Sequence, residues 1–210
     1  MDPGAPSSFK VFEAFSEDAR RVLFYARLAV SLIGGSAIDE PHLVIGILIA
    51  RPEALTRFVD ATLWTEPLFE QRLRGLVTDH PLPIPDAGTS LAGRAEHAVR
   101  GIFADPHEAG THGIPFAASV SHLLTTLGAM AQRENREVVA EDYVWALTHD
   151  PSTPVGALLT EAGVDREAVG AFLRTRRRDQ PTASRCSRSS AFTRSADWIT
   201  SAWLASWNST

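Results

Sequence analysis

The chain has 210 residues, of which 44% are hydrophobic and 21% charged, and its formal net charge at pH 7 is −5. This composition is typical of a globular protein with one core or two closely joined cores, and it argues against a disordered chain. No apolar run approaches the roughly 20 residues needed to span a bilayer, and the N-terminal residues lack the apolar centre of a signal peptide. The single cysteine, Cys186, rules out a disulfide framework. We therefore expect a cytoplasmic protein.

The first predicted helix follows a loose segment rich in proline, glycine and serine at residues 1–10. Ser16 is a suitable N-cap, and Glu17 and Asp18 place negative charge in the positive first turn. Gly34-Gly35 ends the helix. Apolar residues recur between these signals at the helical period: Ala19, Val22, Leu23, Ala26, Ala29, Val30 and Ile33.

The stretch Ile38–Leu48 predicts a second helix that is mostly buried. Asp39 or Glu40 can cap it, and Pro41 lies in its first turn, where a missing N–H does no harm. The apolar positions are too many for a single face, which indicates burial on several sides. They are Leu43, Val44, Ile45, Ile47 and Leu48.

The same succession of signals recurs about 100 residues later. Ile114–Phe116 opens a long helix, Val138-Val139 takes the place of Ile38, and a short apolar helix follows. Each copy continues with a short helix that starts at a proline, Pro52 or Pro154, and then with one more amphipathic helix. A repeat of about 60 residues used twice indicates two similar four-helix units packed together.

We therefore predict an all-α fold in which two pseudo-repeated four-helix units are separated by an inserted helix and followed by a tail that reads as disordered. The inserted helix runs from Leu91 to about Phe103. The predicted parts are an N-terminal segment (1–10), repeat 1 (11–77), a linker with the extra helix (78–113), repeat 2 (114–178) and an arginine- and serine-rich tail (179–210).

Four segments together resemble a known family: VFEAFSEDARRVL from Val11, IDEPHLVIGIL from Ile38, GIPF from Gly113 and VGALLTEAGVDREAV from Val155. They are similar to the N-terminal double repeat of ClpA/ClpC-type AAA+ unfoldases, the Clp repeat domain, over roughly Val11 to Leu173. The resemblance implies an all-helical domain without catalytic activity of its own. Such a domain captures substrates or adaptors for the ATPase rings that follow it.

The resemblance also implies where ligands would bind. ClpC-type members recognise phosphoarginine through a hydroxyl residue just after the opening Phe and a glutamate just before the His of each repeat. Ser16 keeps the first hydroxyl, but Pro41 stands at the glutamate position, with Glu40 one step earlier. In the second copy Ala117 lacks the hydroxyl, while Glu141 keeps the acid. Proline cannot pair with a guanidinium group, so a general protein-docking groove is favoured over phosphoarginine recognition.

The candidate binding residues, by family analogy, lie around the openings of the two repeats. They are Phe12, Phe15, Ser16, Glu40, His42, Phe116 and Glu141. A histidine stands at the place of His42 in the family, and we favour structural packing over chemistry for it.

No catalytic residue, cofactor or metal is predicted. The chain has no G-x-x-x-x-G-K-[ST] loop, and its only lysine is Lys10, so nucleotide hydrolysis by this polypeptide is not expected. His107 and His112 flank a glutamate, but they are five residues apart with Gly110 between them, whereas a zinc helix needs a spacing of four. A polar loop is the favoured interpretation of this stretch.

The resulting hypothesis is a non-catalytic, chaperone-type protein-binding module linked to ATP-dependent proteolysis. It would dock substrates, adaptors or Clp unfoldase and protease subunits, or act as a decoy for a full-length unfoldase. One alternative is a truncated subunit of a Clp ATPase ring. Another is a nucleic-acid-binding regulator that uses the basic tail.

The charge distribution bears on that last alternative. Residues 174–210 carry a net charge of +5, so residues 1–173 carry −10. The acidic body argues against nucleic acid, and we expect neither a nucleic-acid nor a membrane partner. A short amphipathic helix is predicted around Trp198–Trp207. The tail as a whole is interpreted first as an unconstrained or frame-shifted extension. A segment that docks on the chain itself, or one that contacts an acidic partner or membrane surface, is the second interpretation.

Overall fold

The computed structural model describes residues 14–60, 64–77, 79, 90–104 and 114–179. This part of the chain contains nine helices and no strand, so the predicted all-α class is confirmed. The helices are α1 (Glu17–Ile33), α2 (Glu40–Ala50), α3 (Glu53–Thr56), α4 (Glu66–Leu76), α5 (Leu91–Ala104), α6 (Ala118–Arg133), α7 (Ala140–Leu147), α8 (Pro154–Glu161) and α9 (Arg166–Asp179).

Helix α1 begins and ends where the sequence signals place it. The Ser16 hydroxyl accepts a hydrogen bond from the backbone N–H of Ala19 at 3.2 Å, which satisfies one of the free donors of the first turn. At the other end Gly34 adopts a φ of 97°, a left-handed conformation that favours glycine.

Helices α1 and α2 pack closely because α2 has a glycine at the point of contact. A Cβ at Gly46 would lie 2.4 Å from the carbonyl oxygen of Val22 and 2.7 Å from the backbone nitrogen of Ala26. The residues of α2 from Pro41 to Leu48 are all buried. This confirms the expected burial on several sides and places α2 at the centre of the core.

Two isolated parallel bridges join the first part of the chain to the second. Phe15 pairs with Val138, and Ile38 pairs with Phe116. In the first bridge the N–H of Ser16 donates to the Val138 carbonyl at 2.9 Å; in the second, the N–H of Ala117 donates to the Ile38 carbonyl at 2.9 Å. The exchange is reciprocal, since each predicted repeat opening pairs with the other repeat. The division into repeats 11–77 and 114–178 itself stays a prediction.

Side chains from both halves share one core. The Tyr143 side chain of α7 is fully buried, and its hydroxyl donates to the Ala19 carbonyl of α1 at 3.1 Å. Its ring centroid lies 6.3 Å from that of Phe15. The buried apolar residues of α1, α2, α6 and α7 form a single cluster, so neither half has a separate core.

Helix α5 is the predicted extra helix, and it contacts α1, α2 and α4. A Glu66 side-chain oxygen accepts from the N–H of Leu91 at 2.8 Å, which ties the start of α5 to α4. The Glu70 carboxylate, 8% exposed, pairs with Arg74 of its own helix and with Arg94 of α5. The inserted helix therefore packs against helices of the first half of the chain.

Several predicted features lie outside the described residues. They are Phe12, the N-terminal segment 1–10, the stretch His107–His112 and the tail beyond Asp179 with its tryptophans. Across the described part of the chain, no helix combines the length and the apolar character needed to cross a membrane.

Candidate functional site

Five of the predicted site residues lie at two places where helix N-termini from the two halves meet. At the first junction, the start of α2 (Asp39, Glu40) lies beside the start of α6 (Phe116, Ser119), because Ile38 pairs with Phe116. At the second junction, the start of α7 (Glu141) lies beside the start of α1 (Phe15, Ser16), because Phe15 pairs with Val138. Through these two bridges, the opening of each predicted repeat lies beside the start of the helix that carries the predicted glutamate of the other repeat, Glu40 or Glu141.

The first junction is acidic. Burial raises the pKa of Glu40 above its ordinary value; the nearby carboxylates of Asp39 and Asp150 add to this rise, and a hydrogen bond from the Thr153 side chain opposes it. Asp39 accepts a long hydrogen bond of 3.4 Å from the Ser119 hydroxyl. Within the described residues, no arginine forms an ion pair with Asp39, Glu40 or Asp150. The charges of Asp39 and Asp150 thus disfavour ionisation of Glu40, and no arginine of the described residues balances them.

The second junction is neutralised by arginines of the chain itself. Glu141 is 2% exposed, and Arg176 near the end of α9 donates to its Oε2 at 2.7 Å. Arg57, which follows α3, places a guanidinium nitrogen 3.9 Å from the other carboxylate oxygen. The guanidinium of Arg57 also lies over the ring of Phe172, 4.5 Å from its centroid. Arg176 and Arg57 therefore occupy the place beside the Glu141 carboxylate that the cationic group of a ligand would take.

His42 is a structural residue at the start of α2. Its Nδ1 accepts from the N–H of Asp39 at 3.0 Å, and its Nε2 lies 2.6 Å from the Gly34 carbonyl. A donor at Nε2 and an acceptor at Nδ1 define the neutral tautomer. Burial lowers the pKa of His42, against the smaller opposing effects of these bonds and of Asp39. The imidazole therefore closes the capping box of α2.

Asp142 takes the corresponding position in α7. Its Oδ2 accepts from the N–H of Val139 at 2.9 Å, as His42 does from Asp39. Arg136 donates to both oxygens of Asp142, at 2.6 and 3.0 Å. Pro41 and Glu141 are therefore each the second residue of their helix, whereas Glu40 is the first residue of α2.

Phe15 and Phe116 differ in their exposure. Phe15 is 1% exposed and packs in the core, whereas Phe116 is half-buried. Ser16 caps α1 through its hydroxyl, while Ala117 at the start of α6 has no side chain that could do so. Of the residues predicted at the repeat openings, Phe116 and Ser16 remain near the surface.

Sequence reasoning did not identify Asp150, Arg57 or Arg176 as junction residues. Each comes from a loop or helix distant in sequence from the residue that it faces: Asp150 from Glu40, and both arginines from Glu141. No local motif marks them. Only the packing of the helices places them at the junctions.

The described residues contain no cluster of three His, Cys, Asp or Glu side chains placed to hold a metal ion. A scan against family models and a search of curated proteins both find no match to this chain. The fold and the junctions define an all-α protein in which two helix-terminus sites lie between its halves, one acidic and one with its carboxylate paired to arginines.

Proposed function

We propose that this protein is a non-catalytic protein-binding module that serves Clp-type ATP-dependent proteolysis, as an adaptor or as a decoy for a full-length unfoldase. The proposal rests on the motifs at Val11, Ile38, Gly113 and Val155. One structural observation supports it: the two bridges join the openings of both motif copies reciprocally, at Phe15 with Val138 and at Phe116 with Ile38.

The two junctions are not equivalent in this proposal. The carboxylate of Glu141 is buried and paired with Arg176, so a ligand would have to displace that arginine. Glu40, in contrast, is half-buried and faces other carboxylates. A basic segment of a partner protein would relieve this repulsion. The first junction is therefore the docking site that we assign to the partner.

The proposal is tested by adding the full chain to a purified ClpC-type unfoldase with its protease and a fluorescent model substrate. An adaptor accelerates substrate loss, whereas a decoy slows it, and either effect should saturate with concentration. Glu40→Gln removes the charge at the first junction and should weaken the effect. Glu167→Gln, an exposed acid on α9, is the matched control and should leave it unchanged.

Three results would contradict the proposal. They are no change in degradation with the chain in large excess, an equal loss of effect in both variants, and incorporation of the chain into the ATPase ring as a stoichiometric subunit. The last result would favour the truncated-subunit alternative.

A further inference from the structure

The end of helix α9 closes the second junction. Glu141, at the start of α7, is 2% exposed, and Arg176 of α9 donates from Nη1 to its Oε2 at 2.7 Å. The two residues are 35 positions apart in the chain, so the packing of α9 on α7 joins them. This buried carboxylate therefore receives its donor from the chain's own last described helix.

The part of α9 that carries Arg176 is weakly attached to the rest of the protein. Leu173 is the last buried apolar residue of the helix, and the residues that follow, 174–179, are all polar. We call these residues the cover. Its other ion pair joins Arg177 to Glu134 at 3.1 Å, with 36% and 35% of the two side chains exposed. Because an ion pair with that exposure contributes little to stability, the cover is held mainly by the contact with Glu141.

Arg57 does not duplicate this contact. Its nearest guanidinium nitrogen is 3.9 Å from the second Glu141 oxygen, which is beyond hydrogen-bond distance. The same guanidinium lies over the ring of Phe172, 4.5 Å from its centroid. When Arg176 leaves, Glu141 thus keeps a nearby positive charge but has lost its charge-assisted hydrogen bond, and it can accept a new donor.

We propose that the cover is an autoinhibitory element: Arg176 keeps the second junction closed, and the junction opens when the residues after Leu173 undock. Helix ends with few buried contacts open more readily than the core does, so undocking does not require the protein to unfold. The inference rests on the proposed docking function for the purpose of the junction. The undocking itself is a property of this chain and is tested without a partner protein.

The first test follows hydrogen exchange by NMR in the wild-type full chain. The probe is ethylguanidinium chloride, which reproduces the end group of an arginine side chain. The probe can pair with Glu141 only after Arg176 has left, so it should accelerate exchange of the backbone amides at 176–179 severalfold and saturably. Sodium chloride at equal ionic strength is the reference, because salt alone weakens ion pairs. Exchange in α8 should stay unchanged.

The second test uses thermal melts of variants in the full chain. Arg176→Ala removes the donor of Glu141, so the probe should raise its melting temperature saturably, by about 2–4 °C. Arg177→Ala is the matched control: it removes the neighbouring arginine, whose partner Glu134 is exposed, and should respond as the wild type does. The double variant Glu141→Gln with Arg176→Ala should show no rise. Circular dichroism shows whether each variant is folded.

Two results would overturn the proposal. An unchanged exchange rate at 176–179 in the presence of the probe would identify Arg176 as a fixed structural partner of Glu141. An equal rise in melting temperature for the Arg176 and Arg177 variants, or for the single and double variants, would identify a general effect of the ion. If Arg176→Ala does not fold, the exchange measurement on the wild type decides alone. A negative degradation assay would refute the docking function and leave both of these measurements unaffected.

Discussion

Glu141 is a carboxylate almost entirely removed from water, and its charge is balanced mainly by Arg176. We expect Arg176→Gln to destabilise the protein by about 1–3 kcal/mol, because it leaves a buried charge without its donor. Glu141→Gln should cost less, since a neutral amide needs no counter-charge. Urea unfolding of both single variants and the double variant gives the coupling between them. If the losses of unfolding free energy in the two single variants add up to the loss in the double variant, the ion pair contributes nothing to stability.

His42 makes the free energy of unfolding dependent on pH. Burial lowers its pKa in the folded state below the ordinary value of 6.5, so the unfolded chain binds a proton first as the pH falls. The contribution of His42 is therefore fully present above about pH 6.5 and decreases as the pH drops through that value towards the folded pKa. Urea melts at pH 7.5 and pH 5.5 measure the decrease.

His42→Gln is the control for that pH dependence. Glutamine at this helix position can close a capping box but does not titrate. The variant should lose less stability than the wild type between pH 7.5 and pH 5.5. An equal loss in both proteins would show that other groups cause the acid sensitivity.

The pairing of helices α1 and α2 depends on the absence of a side chain at Gly46. Gly46→Ala should destabilise the protein by about 1–3 kcal/mol, because the new methyl group meets the backbone of α1 and forces the helices apart. Gly75→Ala in α4 is the matched control, since a Cβ there meets nothing within 4 Å. It should stabilise the protein by about 0.5–1 kcal/mol through helix propensity. Thermal melts of both variants measure these changes. Equal changes in melting temperature for the two variants would contradict the close packing of α2 on α1 at Gly46.

Some helix ends can be predicted from neighbouring residues, and others cannot. The caps at Ser16 and Asp39 and the glycine stop at Gly34 are visible in sequence because each acts within a few residues. Helix α9 extends to Asp179, beyond its last apolar residue at Leu173. An apolar pattern marks only the part of a helix that is buried, so it cannot reveal an arginine-rich final turn.

The whole molecule should unfold in a single transition, because the two halves exchange main-chain hydrogen bonds and share one core. Leu43→Ala in α2 and Leu127→Ala in α6 each remove a fully buried side chain. Each should cost about 2–5 kcal/mol, and each should shift the same transition by circular dichroism and by fluorescence. Two transitions, with each variant moving only one of them, would show that the halves are independent domains.

The sequence alone determined the helical class and several helix starts and ends, since periodicity and capping depend on neighbouring residues. Only the tertiary structure decided the character of the two junctions. Arg57 and Arg176 neutralise Glu141, whereas Asp150 repels Glu40. These partners are brought together by the packing of distant helices, and the electrostatic energy of a carboxylate depends on distances and burial that no local pattern encodes.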